Sequence, residues 1–530
     1  MKKFNVNGIC YPDKHYMADL RERLEKIEAL IDEGDYFVIN RARQFGKTTT
    51  LWALSEHLRE KYLVVFMNFQ QLSEADYRDE YAFASAFADL FLEAYDEKPQ
   101  NGEVLEPLVF LRETAERADG KTGLRRLFKV LSNLCAQVSK RVVLMIDEVD
   151  QASNNQVFLD FLAQLRAYYL NRSRGGNFWS VVLAGVYDIK NLKLKIRPDS
   201  EHQYNSPWNI AADFKIEMSL SRMDIAGMLK EYEEDHHTGM DILAIAGMIY
   251  DYTSGYPFLV SRLCKIMDEN ISGKAGFEDS SSVWTRDGVT EAVKELLIES
   301  NTLFDDLVKK LRDFPELKKM LYVILFNGER ITYNIDNHAI NIGCMLGFVK
   351  NAGGVLVVSN RIFETRLYNM FLSEGVLDSK LYKAADREKN QFIQNGLLNM
   401  ELVLERFVEA FTDIYADADE AFLEENGRRF FLLYLKPIIN GVGNYYIEAR
   451  TRDMRRTDII IDYCGKQYVC EMKLWHGEEY HQRGEKQLIG YLEDYHLSTG
   501  YMVSFNFNKN KKTGIRKKQI DGKLLIEAVV

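Results

Sequence analysis

Cysteine is sparse in this chain and falls at no framework spacing: there are six in 530 residues, and only Cys464 and Cys470 lie close together. That argues against a disulfide-stapled secreted domain and for reduced thiols. His236-His237, His476, His481 and His496 never pair with cysteine at zinc-finger spacing, so structural or surface roles are expected for them. Long apolar runs are missing too. Nowhere do about 18 apolar residues follow one another, so no transmembrane helix and no membrane partner are expected. The opening MKKFNVNGICYPDKHY has a basic pair without the apolar stretch of a signal peptide. No tract is of low complexity. An excess of positive charge is also absent: the net charge of −11 argues against a surface of uniform positive potential. It leaves room only for local patches, at Arg452, Arg455 and Arg456 and then at Lys509, Lys511, Lys512, Arg516, Lys517 and Lys518. The expected setting is cytoplasmic.

What is present reads as globular: 46% hydrophobic, 28% charged and 12% aromatic. The length exceeds a single hydrophobic core, and about two to four domains are expected. Helical spacing over 16–33 stops at Gly34. A strand-like run at 36–40 leads through the loop 41–46 into a helix over 47–60. Further strand-like runs fall at 62–69, 141–147 and 179–186, with a fifth at 214–220; helical patterns at 80–96, 122–138 and 156–171 separate them. The near-continuous apolar run 141–147 suits a strand covered on both faces. Strands alternating with helices predict an α/β fold with a doubly wound parallel sheet.

From 222 the pattern turns helical, at 222–235, 240–252 and 257–268, as in a helical lid. The Ser/Gly-rich 272–283 reads as a linker. Helices at 303–311, 314–326 and 338–346, then strands 348–350 and 355–359 joined across Gly353-Gly354, predict a winged helix. Helical patterns at 388–414 and 419–436 are followed by β-like runs at 445–451, 457–463, 467–473 and 500–507, with a helix at 484–495. A last apolar run covers 524–530. The expected domains are 1–221, 222–285, 286–384 and 385–530.

The stretch RARQFGKTTT (41–50) has the composition of a phosphate cradle. Gly46 permits close backbone approach, Lys47 reaches terminal phosphates, and the Thr48 hydroxyl can join a Mg²⁺ shell. Arg41 stands where such loops carry their first glycine. Gln44, Phe45 and Thr49 complete the loop, and Arg43 either contacts phosphate or caps it. About 100 residues on, Ile146 ends a strand and Asp147-Glu148 follows. An acid at that place can hold Mg²⁺, and the next can orient or deprotonate an attacking water. The pair also fits an ordinary helix start. Tyr187 and Asp188 occupy either a sensor position or a turn.

These residues resemble the AAA-like/STAND-type P-loop ATPases of prokaryotes, through Arg41-Ala42-Arg43-Gln44-Phe45-Gly46-Lys47-Thr48, Ile146-Asp147-Glu148 and Gly255-Tyr256-Pro257-Phe258. The resemblance covers roughly 15–375. It implies ATP and Mg²⁺ as cofactors, and a lid segment, Gly255-Tyr256-Pro257, near the nucleotide.

A second constellation lies near the C-terminus. Asp458 falls in one β-like run and Glu471-Met472-Lys473 ends the next, with period-2 alternation placing Glu471 and Lys473 on one face. Two carboxylates and an ammonium could converge there, as metal-assisted phosphodiester hydrolysis requires. Alone, this pattern is also common as surface charge. Gln487 and Tyr491, one helical turn apart, could line the same pocket, and Glu425 or Glu424 could add an acid. Arg456-Thr457-Asp458, Glu471-Met472-Lys473 and Gly484-x-x-Gln487-Leu488-x-x-Tyr491-Leu492 resemble the PD-(D/E)XK nuclease superfamily over roughly 420–507, with Thr457 in place of its proline.

The combined expectation is an ATPase that gates a Mg²⁺-dependent nuclease-like domain. Its partner would be nucleic acid, DNA ahead of RNA, with self-association left open. The rival readings are a nucleotide switch whose C-terminal domain binds without cleaving, and an NTPase scaffold.

Overall fold

A computed structural model describes residues 1–95, 105–116, 122–152, 155–173, 175–186, 208–327, 331–376, 379–415, 420–439, 443–447, 458–464, 466–474, 478–494, 497–506 and 512–530. The chain forms two compact units. One comprises Met1–Tyr250, Gly255–Lys265 and Met345–Gly347; the other comprises Asp251–Ser254, Ile266–Cys344 and Phe348–Val530.

The first unit is built on β1 (Tyr36–Asn40), β2 (Leu63–Asn68), β3 (Val142–Asp147) and β4 (Ser180–Gly185). All pair in parallel, in the order β1-β4-β3-β2. Helices α1 (Arg21–Asp32), α2 (Lys47–Leu58), α3 (Glu80–Ala94), α4 (Glu106–Glu116), α5 (Leu124–Gln137) and α6 (Gln156–Leu170) complete the layers. The strands are apolar on both faces because both are covered. Tyr36, Val38, Leu144, Ile146, Val181 and Leu183 point into a core shared with α3, α5 and α6. The alternate residues Phe37, Ile39, Val143, Met145, Val182 and Ala184 meet Leu24, Ile27 and Ile31 of α1 and Leu51, Leu54 and Leu58 of α2. The α/β sheet expected from the sequence is therefore observed.

Phe161 is the hub of the first core. Its ring lies 5.4 Å from Phe83, 5.2 Å from Phe87 and 5.5 Å from Phe128, tilted or edge-on throughout.

The fifth strand expected at 214–220 does not form a ladder. A single parallel bridge joins Phe37 to Ala212, with Ala212 N–H donating to Tyr36 O at 2.8 Å. Beyond it the Arg41 guanidinium donates to Ile216 O at 2.9 Å, and Phe214 and Met218 bury against the sheet.

Helices α7 (Arg222–His236), α8 (Ile242–Thr253) and α9 (Pro257–Ile266) follow. A capping box starts α7: Ser221 Oγ accepts from Asp224 N–H, and the Asp224 carboxylate accepts from Ser221 N–H.

Further on come α10 (Ser280–Val283), α11 (Arg286–Ile298), α12 (Thr302–Asp313), α13 (Pro315–Tyr322) and α14 (His338–Met345). The hairpin β5 (Val349–Ala352) and β6 (Val355–Val358) turns at Gly353 and Gly354, both with positive φ, so the order of helices and hairpin read from the sequence is observed. Helices α15 (Arg361–Val376) and α16 (Lys380–Glu388) follow.

The single helix expected over 388–414 is interrupted by the short strands β7 (Ile393–Gln394) and β8 (Leu397–Leu398). They turn at Asn395 (φ 54°) and Gly396 (φ 75°), an Asn-Gly pair that accepts left-handed backbone. After α17 (Met400–Tyr415) and α18 (Glu420–Ile439) come β9 (Gly443–Ile447), β10 (Asp458–Tyr463), β11 (Lys466–Leu474), α19 (Glu478–Asp494), β12 (Thr499–Phe505), β13 (Gly514–Ile520) and β14 (Lys523–Val529). They make a mixed sheet ordered β13-β14-β12-β11-β10-β9. β13 was not foreseen, since its sequence, GIRKKQI, reads as a basic loop. It is an edge strand, where lysines discourage pairing with other chains.

No helix among the described residues is long and apolar enough to cross a membrane.

Truncating the aromatic hub is expected to be severe. Phe161→Ala should lower unfolding stability by about 3–5 kcal/mol in urea titration, through lost burial plus a cavity.

Candidate functional site

In an open α/β sheet, ligands bind beyond the carboxyl ends of the strands. The ends of β1, β4 and β3 are adjacent here, and both halves of the sequence motif meet at them. The Thr48 hydroxyl donates to Asp147 Oδ2 at 2.6 Å. The second oxygen of Asp147 accepts the N–H of Glu148 at 2.9 Å. The carboxylate is buried at the end of β3, and burial pushes its pKa above the usual range. Glu148 is half-buried, and burial followed by the neighbouring Asp147 charge raises it too. Its left-handed φ of 56° turns the chain off β3, a conformation that costs on the order of 1 kcal/mol in a non-glycine residue.

The loop itself explains the missing glycine. Its left-handed residues are Gln44 (φ 55°) and Gly46 (φ 79°), and Arg41 is not one of them. Position 41 therefore places no conformational demand for glycine. The Arg41 guanidinium donates to Asn40 O at 3.0 Å and to Ile216 O at 2.9 Å, and lies over the Phe214 ring. It anchors the loop to the segment beside β1. Lys47, 7% exposed, donates to Arg41 O and Ala42 O, each at 3.0 Å. Burial draws its pKa down, opposed by the carboxylates of Asp150, Glu148 and Asp147. Gly46 caps α2 without a side-chain hydrogen bond, and first-turn N–H groups of a helix have no intrahelical partner. The start of α2 thus presents positive helix-end potential beside a buried lysine.

Thr49 turns elsewhere: its Oγ1 accepts the N–H of Cys10 at 3.2 Å, tying the N-terminal segment to α2. The Arg43 backbone carbonyl accepts from the Tyr256 hydroxyl at 2.5 Å, and the Phe45 ring meets the Tyr256 ring edge-on at 4.8 Å. Tyr256 therefore clamps the loop that follows β1. The preceding Gly255 (φ 73°) is obligatory, because a Cβ there would lie 1.9 Å from Leu220 O. The Gly-Tyr-Pro pattern flagged this stretch in the sequence; the clamp itself needed the structure. Asp150, two residues past Glu148, was missed altogether. Tyr187 and Asp188 lie outside the described residues.

At the second site, Asp458 pairs with Glu471 across the β10–β11 register, which puts the two on one sheet face. Glu471 is 0% exposed and Lys473 6%, with Lys473 Nζ 3.2 Å from Glu471 Oε1. Helix α19 crosses this face, and Gly484 makes room for the lysine: a Cβ there would fall 2.7 Å from Lys473 Nζ. Tyr491 belongs to the small core of Ile460, Val469, Leu488, Leu492 and Met502. Gln487 lies on α19, and Glu424 and Glu425 on α18. The side chains of these three and of Asp458 are outside the described set, as are Arg452, Arg455, Arg456, Thr457, Lys509 and Lys511. Within the basic run, Lys517 pairs with Glu401 at 2.6 Å and Lys518 with Glu485 at 2.7 Å. The positive surface there is weaker than the sequence implies. Among the described residues, no three or more His, Cys, Asp or Glu side chains gather as a metal site.

No family model and no curated protein matches the chain. Among solved structures it is similar to the Walker-type ATPase paby2304 of Pyrococcus abyssi, at 13% identity over 69% of this chain and 99% of that one, with a TM-score of 0.47. It is also similar to the Aeropyrum pernix ORC2 protein in ADPNP–ADP complexes, at 16% identity over 71% and 98%, TM-score 0.41. A third is the Aeropyrum pernix ORC1 protein in complex with DNA, at 14% identity over 68% and 94%, TM-score 0.30. Such scores are too low to carry a function across.

The buried Glu471–Lys473 pair yields a stability test. Lys473→Ala strands a buried carboxylate and should destabilise by about 3–5 kcal/mol, whereas the double variant Glu471→Gln/Lys473→Met should lose much less. Urea unfolding of the three proteins measures the difference.

Proposed function

We propose that the chain binds and hydrolyses ATP at the carboxyl ends of β1 and β3, and that this cycle gates a nuclease-like site at Asp458, Glu471 and Lys473. The observation that carries the first half is the 2.6 Å contact between Thr48 and Asp147, with Lys47 buried beside it. A hydroxyl and a carboxylate side by side form a hard-oxygen donor pair that fits Mg²⁺. Thr48 and Asp147 would hold the ion, and at the second site Asp458 and Glu471 would do so. Bound at either place, Mg²⁺ would supply positive charge to phosphate oxygens.

The chain's own groups do the rest. Backbone N–H groups at the start of α2 receive the phosphates, with Gly46 allowing close approach. Lys47 neutralises developing charge on the terminal phosphate. Glu148 accepts a proton from a water whose oxygen attacks the γ-phosphorus; the bond to the bridging oxygen breaks, giving ADP and phosphate. Arg41, Arg43, Gln44, Phe45 and Thr49 shape the loop.

For the second half, the support is the Asp458–Glu471 register, the buried Glu471–Lys473 pair and the sequence resemblance. Lys473 would orient the water that attacks a phosphodiester, with Gln487 lining the site. The substrate would be nucleic acid, DNA ahead of RNA. The helix-and-hairpin segment within 286–384 reads as a winged helix and 222–285 as a lid, between an ATPase core at 1–221 and the nuclease-like domain at 385–530. Copies of the chain could self-associate.

The test uses the full-length protein with single- and double-stranded DNA and RNA, Mg²⁺, and ATP present or absent. Lys47→Ala should lower ATP turnover by about 100-fold or more, and Glu471→Gln should abolish cleavage while the protein still turns over ATP. Cleavage that survives Glu471→Gln removes the nuclease half. A wild type that never nicks any substrate while Glu471→Gln still binds nucleic acid favours the non-cutting switch.

A further inference from the structure

A third carboxylate, Asp150, stands between the two halves of the nucleotide site. The left-handed Glu148 delivers the chain from β3 into a 3-10 turn, Val149–Ala152. That turn brings Asp150 back to the end of β4, where its Oδ2 accepts the N–H of Val186 at 2.5 Å. Its Oδ1 rests on Gly185: a Cβ added there would lie 2.8 Å from that oxygen and 3.0 Å from Val149 Cγ2. Position 185 is glycine because the carboxylate fills the side-chain space.

Gly185 is held from the other side as well. Its carbonyl accepts the N–H of Arg41, the first residue of the phosphate loop, at 3.2 Å. The end of β4 is thus fixed between the loop that follows β1 and the turn that follows β3. Since β4 lies between β1 and β3 in the sheet, its end sets how far apart Lys47 and the acids of β3 stand.

We propose that Asp150 is a positioning residue for ATP hydrolysis: by accepting the Val186 amide and packing on Gly185, it sets the end of β4 and so the spacing between the phosphate loop and the acids of β3. This rests on the ATPase reading above. With Oδ2 on a backbone amide and Oδ1 against Gly185, Asp150 acts through the scaffold, and Glu148 keeps the role of accepting the water's proton.

Hydrogen bonding and charge can be separated. Asp150→Asn keeps an oxygen for the Val186 amide, Asp150→Ala removes it, and Gly185→Ala pushes a methyl into its place. Steady-state ATP hydrolysis by the full-length proteins should show kcat falling about 10- to 100-fold in Asp150→Ala and Gly185→Ala, with KM changed less than about 3-fold, as expected when geometry slips by a fraction of an ångström. Asp150→Asn should recover to within about 5-fold of wild type. In the same proteins, hydrogen exchange of the segment containing Val186 should speed up in Asp150→Ala and stay slow in Asp150→Asn, while β3 keeps its protection.

Wild-type kinetics in Asp150→Ala overturn the proposal and leave the ATPase reading standing. So does a loss in Asp150→Asn equal to that in Asp150→Ala, or unchanged exchange at Val186. If Gly185→Ala fails to fold, the Asp150→Ala and Asp150→Asn pair decides alone. A wild type that turns over no ATP removes the ATPase reading, and this inference with it.

Discussion

The hydrogen bond between Thr48 and Asp147 joins residues 99 apart in sequence and is the contact on which the rest of the first unit depends. It ties the first turn of α2 to the last residue of β3, across the width of β4. For the two to meet, β1, β4 and β3 must run parallel with their carboxyl ends level, as the β1–β4 and β3–β4 registers provide. Asp147 can be buried there because both of its oxygens accept hydrogen bonds, from the Thr48 hydroxyl and the Glu148 amide. Two neighbouring ties keep the loop in place: Arg41 on Ile216 O, and Tyr256 on Arg43 O.

The backbone around Arg41 shows why position 41 needs no glycine. Left-handed backbone demands glycine or a tolerant residue, and in the loop after β1 it falls at Gln44 and Gly46. Freed from that demand, position 41 carries a cation whose charge is spent on two backbone carbonyls and an aromatic face.

Legibility in the sequence followed the physics of each element. β1 and β3 announced themselves because strands buried on both faces must be apolar at nearly every position. Lys47, Thr48, Asp147 and Glu148 stood out in the sequence because the phosphate and metal chemistry proposed for them admits few residue types. Asp150 did not, because it accepts the backbone amide of Val186, just past β4, and a backbone partner leaves no mark in the sequence. β13 was hidden since Arg516, Lys517 and Lys518 on an edge strand look like a basic loop, and the pairing of Lys517 and Lys518 with Glu401 and Glu485 is a long-range matter. The β7–β8 interruption was readable in Asn395-Gly396, but helical periodicity on both sides masked it.

In the second unit the positions of Asp458 and Glu471 come together through an antiparallel register, and a glycine on the helix crossing the sheet leaves room for the lysine. In both places an acid on a strand has a lysine beside it: Asp147 at the end of β3 with Lys47, and Glu471 within β11 with Lys473. The claim that everything else rests on is that Thr48 and Asp147 together make a Mg²⁺-dependent ATP site. Isothermal titration of ATP into wild type and Thr48→Val, with Mg²⁺ and with EDTA, addresses it most directly. The account predicts binding by wild type that tightens about 10-fold or more with Mg²⁺, and a Thr48→Val protein whose residual binding ignores the metal. Equal, metal-responsive binding by both proteins would contradict it.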